Sequence, residues 1–196
     1  MIRSNANLLE YISKPSFLEK WNTIASIKFD TAATIINQQS TSNAIYIVKK
    51  GITKCYLTED TGVDFIQEFF GPGELFGEIE FFTQTSNFCA VVTIDQTEVF
   101  KIPHTSFTKL LATDRRFNTL IMEALAKKIR YKAIRHAYNQ LHTIEDKVLR
   151  LKKEYPSIFE TLKKKDIANY LGITMRSLNR SLLTIGTNNT RLNDTI

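Results

Sequence analysis

Residues 164–183, KKDIANYLGITMRSLNRSLL, constrain this chain more than any other stretch. They read as two short helices joined by one tight turn, the layout of a DNA-reading helix-turn-helix. With Ala168 as the small residue where the helices cross, Ile167, Leu171, Ile173 and Leu178 fall at spacings that set one face of each helix against the other. Gly172 tolerates the left-handed backbone that closes the first helix, and Thr174 stands where its hydroxyl caps the second. The polar face of that second helix carries Met175, Arg176, Asn179 and Arg180. Arg and Asn are the side chains with bidentate geometry for guanine and adenine edges in the major groove. With Ser177 of the same helix and Lys164 of the first, these residues and Thr174 make the candidate DNA contacts. The competing reading of the segment is an ordinary surface helical hairpin.

The charge is placed unevenly. From residue 125 onward there are 15 Lys and Arg against 6 Asp and Glu, whereas residues 1–124 hold 11 and 14. Basic character therefore travels with the candidate reader, where counterion release favours phosphate backbones regardless of sequence. Runs such as Lys163-Lys164-Lys165 also suit a merely solvated helical face.

A length of 196 residues allows one sizeable core and a small second unit. No apolar run approaches the ~18 residues of a spanning helix, and MIRSNANLLEYISK lacks the layout of a secretory signal. A cytoplasmic protein with no membrane partner is expected. Cys55 and Cys89 make no disulfide framework and are expected as buried small residues. His104, His136 and His142 are scattered rather than set at ligand spacing, so no metal or other cofactor is expected.

Hydrophobic periodicity divides the chain. After a helical opening with Leu8, Leu9, Ile12, Phe17, Leu18 and Trp21, residues 22–102 break into short β-branched and aromatic runs separated by turn residues. Such spacing predicts a small antiparallel barrel or jelly roll. Residues 114–141 then follow a helical period, with Phe117, Ile121, Met122, Leu125, Ile129 and Ala133 as one apolar stripe and Lys127, Lys128, Arg130, Lys132 and Arg135 facing elsewhere. That helix is about 40 Å long at 1.5 Å per residue, more than such a barrel covers. Its exposed part is expected to pair with a second copy, making a homodimer.

Over nearly its whole length the chain resembles the cyclic-AMP receptor and fumarate-nitrate regulator (Crp/Fnr) family of bacterial transcription regulators. The resemblance rests on Tyr46-x-Val48-x-x-Gly51, on residues 70–80 (FGPGELFGEIE), on Phe100-x-Ile102-Pro103-x-x-x-Phe107-x-x-Leu110 and on the helix-turn-helix. It implies an α+β chain: an N-terminal double-stranded β-helix (a jelly roll of cyclic-nucleotide-binding type) over 1–112, a dimerisation helix over 113–141 and a helix-turn-helix domain over 142–196. It further implies double-stranded DNA and RNA polymerase as partners.

The family's nucleotide site gives a candidate effector pocket of Phe76, Gly77, Glu78, Phe88 and Cys89. Gly77 and Glu78 match the residues that meet the cyclic phosphate and the ribose hydroxyl. Phe88 stands where nucleotide-binding members carry the phosphate-pairing arginine, and Cys89 takes the neighbouring serine position. Losing such a cation costs about 2–5 kcal/mol, and Phe88 is expected to fill the space. A response to cyclic AMP is therefore not expected, and any small-molecule effector is unknown. Two cysteines fall short of the four of an iron–sulfur site, and a cupin-type enzyme lacks its histidine cluster. Ser181 stands where the family sends an apolar residue inward, and the tail GTNNTRLNDTI after Ile185 shows no hairpin alternation, so a truncated or missing wing is expected. These two departures favour the alternative, a ligand-binding or protein-interaction module with a degenerate DNA reader.

Overall fold

The computed structural model describes the backbone of residues 1–193 and the side chains up to Ile185. In chain order the elements are β1 (Ile2–Arg3), α1 (Ala6–Ile12), α2 (Pro15–Lys20), β2 (Ala25–Phe29), β3 (Thr34–Ile36), β4 (Ala44–Lys50), β5 (Thr53–Thr58), β6 (Asp64–Phe70), β7 (Leu75–Phe76), α3 (Glu78–Thr83), β8 (Ala90–Thr93), β9 (Thr97–Pro103), α4 (His104–Thr113), α5 (Arg115–Leu141), α6 (Ile144–Glu154), α7 (Ile158–Thr161), α8 (Lys164–Leu171) and α9 (Met175–Asn193). Two compact units result. One is residues 2–129; the other is residues 130–196 with Met1.

In the first unit the strands form a five-stranded sheet, β1-β6-β5-β8-β3, and a four-stranded sheet, β2-β9-β4-β7. Strand β4 shows why its sequence reads as an unbroken apolar run. Ala44, Ile45, Tyr46, Ile47 and Val48 are all buried, because the two faces of the strand serve two cores. Ile45 and Ile47 pack with Leu8, Ile12, Phe17, Phe107, Phe117, Leu120, Ile121 and Ala124. Ala44, Tyr46 and Val48 face inward with Phe70, Phe76, Val91 and Val99. Phe76 lies between Tyr46 and Phe70 with ring centroids 5.3 and 5.7 Å away and planes within 12°. Stacking at these separations adds about 0.5–1.5 kcal/mol per pair beyond burial. The loop before β7 passes so close to Asn5 that a Cβ on Gly73, at φ +83°, would sit 1.9 Å from the Asn5 carbonyl oxygen, so only glycine fits.

Helix α5 begins where the Asp114 carboxylate accepts the Phe117 amide at 2.9 Å, an N-cap also held by the Tyr11 hydroxyl. Its buried residues in the first unit are Phe117, Leu120, Ile121, Ala124 and Lys128, at helical spacing. This corrects the single stripe read from the sequence. Phe117 and Ile121 belong to the barrel core, whereas Met122 and Ile129 are 59% and 69% exposed, Ala133 is exposed and Leu125 is half-buried. From 121 to 122 the helix turns about 100°, enough to put the two residues on different faces. Lys128, grouped with the outward cations, belongs instead to the buried face.

In the second unit Thr143 and Asp146 form a capping box at the start of α6. Val148, Leu151, Ile158, Leu162, Ile167, Ala168 and Leu178 are buried there. Helix α9 continues to Asn193, so the stretch after Ile185 is helical as far as it is described, and the rest of that tail lies outside the described residues. Among the described residues no helix is long and apolar enough to cross a membrane.

Candidate functional site

Two regions contain the sequence-derived site residues. The first is the turn between α8 and α9. Gly172 closes α8 at φ +67°, and the Ile173 amide reaches back to the Ala168 carbonyl at 3.0 Å, which satisfies a carbonyl the helix end leaves open. Thr174 accepts the Ser177 amide at 3.1 Å and so caps α9. Met175, Arg176, Asn179 and Arg180 then emerge exposed on one face, while Leu178 and Ser181 turn inward. Ser177 is half-buried, its hydroxyl 3.0 Å from that of Thr174. Lys163, Lys164 and Lys165 are exposed at the start of α8. Ser181 is 1% exposed, as its apolar counterpart would be, but its hydroxyl does not lack a partner. It donates to Glu145 Oε1 at 3.4 Å, a long bond that lessens the burial penalty expected for it.

The second region is the segment after β7. Phe76 is buried in the aromatic stack, and Gly77, at φ +88°, caps the six-residue α3. Glu78 is 2% exposed and its Oε1 is engaged: Lys128 Nζ lies 2.6 Å away and also donates to the Leu75 carbonyl at 2.5 Å. The same ammonium sits 4.8 Å from the centroid of the Phe70 ring. A cation thus does reach this segment, supplied by α5 rather than by the strand that follows. Beside it Arg3 bridges Glu68 and Glu74 at 3.2 Å each. Burial pushes the Glu74 carboxyl above the usual carboxylate range, against the pull of Arg3 and Lys128.

Phe88 does not fill this space. It is 55% exposed, with only its amide held, donating to Glu80 Oε1 at 3.0 Å. Its neighbours Asn87 and Cys89 are the inward residues, at 2% and 8% exposure, so the alternation of the segment turns the aromatic ring out. Cys55 is half-buried. Lys128 and Arg3 are the functional-looking residues that sequence reasoning missed. For Lys128 the signal was present in its spacing from Phe117, Ile121 and Ala124.

Comparison with known proteins decides the fold. Residues 26–114 match the cyclic nucleotide-binding domain family. Among solved structures, the c-di-GMP responsive global regulator CLP of Xanthomonas campestris superposes with a TM-score of 0.77 at 16% identity, covering 90% of this chain and 93% of CLP. FixK2 from Bradyrhizobium japonicum gives 0.71 at 20% identity, over 85% and 86% of the two chains. A transcriptional regulator of the crp/fnr family from Eubacterium rectale gives 0.74 at 13% identity, over 93% and 87%. The fold is that of the Crp/Fnr regulators. Sequence relatives match the first unit alone: the lysophospholipase NTE1 of Kluyveromyces lactis is 31% identical over 104 residues, 52% of this chain but 7% of that protein. The Crp/Fnr fold thus accounts for both units, whereas the NTE1 match covers the nucleotide-binding-type barrel of a much longer chain.

Proposed function

We propose that the protein is a sequence-specific DNA-binding transcription regulator that acts as a homodimer and does not respond to cyclic AMP. The observation that carries this reading is the α9 face on which Met175, Arg176, Asn179 and Arg180 stand together, exposed, behind a capped turn. Arg176 lies three and four residues before Asn179 and Arg180, so the three reach one groove together. The exposed Met122, Ile129 and Ala133, with the half-buried Leu125, offer α5 a self-complementary apolar seam. One oxygen of Glu78 is already held by Lys128, and Phe88 supplies no cation for a cyclic phosphate. The working division is a barrel over 1–112, a dimerisation helix over 113–141 and a DNA-binding domain over 142–196, with RNA polymerase as the partner at a promoter. The partner that Ser181 finds in Glu145, at 3.4 Å, weakens one of the two grounds for a degenerate reader.

The test is a titration on a duplex selected from a random pool and on random DNA. Arg180→Ala costs about 1–3 kcal/mol on the selected duplex with little loss on random DNA, the signature of a base contact. Lys164→Ala weakens both and lowers the salt slope by about one. Equal losses on both duplexes for Arg180→Ala overturn the base-reading role.

A further inference from the structure

The second unit contains a cavity of about 270 Å³ bounded by the later turns of α5, by α6 and by the end of α8. Its lining is unusual in composition. Four tyrosines, Tyr131, Tyr138, Tyr155 and Tyr170, reach it, and two arginines lie over the rings of two of them. The Arg135 guanidinium carbon sits 4.5 Å from the Tyr170 ring centroid and that of Arg150 4.1 Å from Tyr138. Tyr131 and Tyr170 join hydroxyls, and burial pushes the Tyr131 phenol well above its ordinary range, so it stays neutral. These contacts hold the aromatic walls in fixed places before anything binds, the condition for a site that pays little ordering entropy.

The charges at the cavity are not all matched. Arg150 is neutralised by Glu154, 2.6 Å from its Nε. Lys147 and Asn139 are half-buried at the cavity, and among the described residues neither side chain has a hydrogen bond or ion pair. An ammonium and an amide held beside tyrosine rings, with no carboxylate assigned to them, supply donors for one singly charged, two-oxygen group. We propose that this cavity binds a flat aromatic carboxylate, its ring against the tyrosines and its carboxylate on Lys147 and Asn139. The site is separate from the Glu78 segment and from the DNA-facing residues of α9, so its occupancy is read without DNA.

Calorimetry on the full chain with three probes tests this: 2-naphthoate, its neutral analogue 2-naphthamide, and the non-aromatic cyclohexanecarboxylate. The naphthoate is expected to saturate with one site per chain, and each of the other two to bind at least about ten-fold more weakly, one tenth of the affinity per missing interaction. Lys147→Met, which keeps the stem and removes the charge, is expected to weaken naphthoate about ten-fold. Lys152→Met, on the same helix but outside the cavity, leaves it unchanged. No saturation in the low-millimolar range, equal binding of the amide, or equal losses in the two lysine variants overturns the proposal. Tighter binding of adenosine monophosphate than of naphthoate overturns the carboxylate assignment. Circular dichroism of both variants confirms that each retains its helices; if Lys147→Met has lost them, Asn139→Leu replaces it with the same expected ten-fold loss.

Discussion

Glu78 and Lys128 are each nearly sealed from water, so removing either leaves the charge of the other buried without its paired counter-charge. Breaking a buried pair from one side costs about 3–5 kcal/mol, whereas replacing both residues together costs far less. Urea unfolding of Glu78→Gln, Lys128→Met and the double variant is expected to show two large single losses and a double loss smaller than their sum. A simply additive result contradicts the pairing. Because one oxygen of Glu78 is already held by Lys128 and Phe88 supplies no cation, calorimetry with cyclic AMP is expected to show no binding at micromolar concentrations, and a low-micromolar dissociation constant overturns this reading of the pocket. His104 adds a pH dependence. Burial lowers its pKa, opposed by a hydrogen bond with the Ala44 backbone, and its Nε2, buried beside the Phe81 ring, has no hydrogen-bond partner among the described residues. Because the folded state resists protonation, its contribution is fully present above the ordinary histidine range and is lost as pH falls from about 6.5. Thermal unfolding is expected to show a shallower decline between about pH 7 and 5 in His104→Gln than in the unmodified protein.

At the scale of elements, α5 has two apolar faces, one buried in the barrel core and one exposed. Replacing the outward Met122 and Ile129 by Asp is expected to yield folded monomers in sedimentation, whereas Ile121→Asp, in the barrel core, is expected to unfold the first unit. A persistent dimer in the Met122→Asp, Ile129→Asp variant places the interface elsewhere. The same helix shows what periodicity could and could not convey. Its existence and length were legible because 27 residues repeat the helical period many times. Its inward face was misread because a lysine at position 128 argues for solvent until a buried glutamate is known to meet it. Strands such as β4 were legible from their apolar runs, but β1 and β7, with two residues each, carry no period at all. The turn at Gly172 and the Thr174 cap were legible because they depend on local backbone chemistry alone. Phe88 was misread because its bulk suggested burial, while its place between the inward Asn87 and Cys89 set its direction.

Across the whole molecule, basic charge is concentrated after residue 124, where 15 cationic residues stand against 6 acidic ones, while the barrel half is slightly acidic. That asymmetry suits a chain whose C-terminal part meets phosphate and whose N-terminal part does not. In the barrel half, by contrast, the buried Lys128 is held against Glu78. The most direct measurement is the affinity of the unmodified protein for its selected duplex across a series of salt concentrations, with and without saturating cyclic AMP. The predicted result is a linear fall of log affinity with log salt, a clear preference over random DNA, and superimposable lines with and without the nucleotide. No preference for the selected duplex, or binding that appears only when cyclic AMP is present, contradicts it.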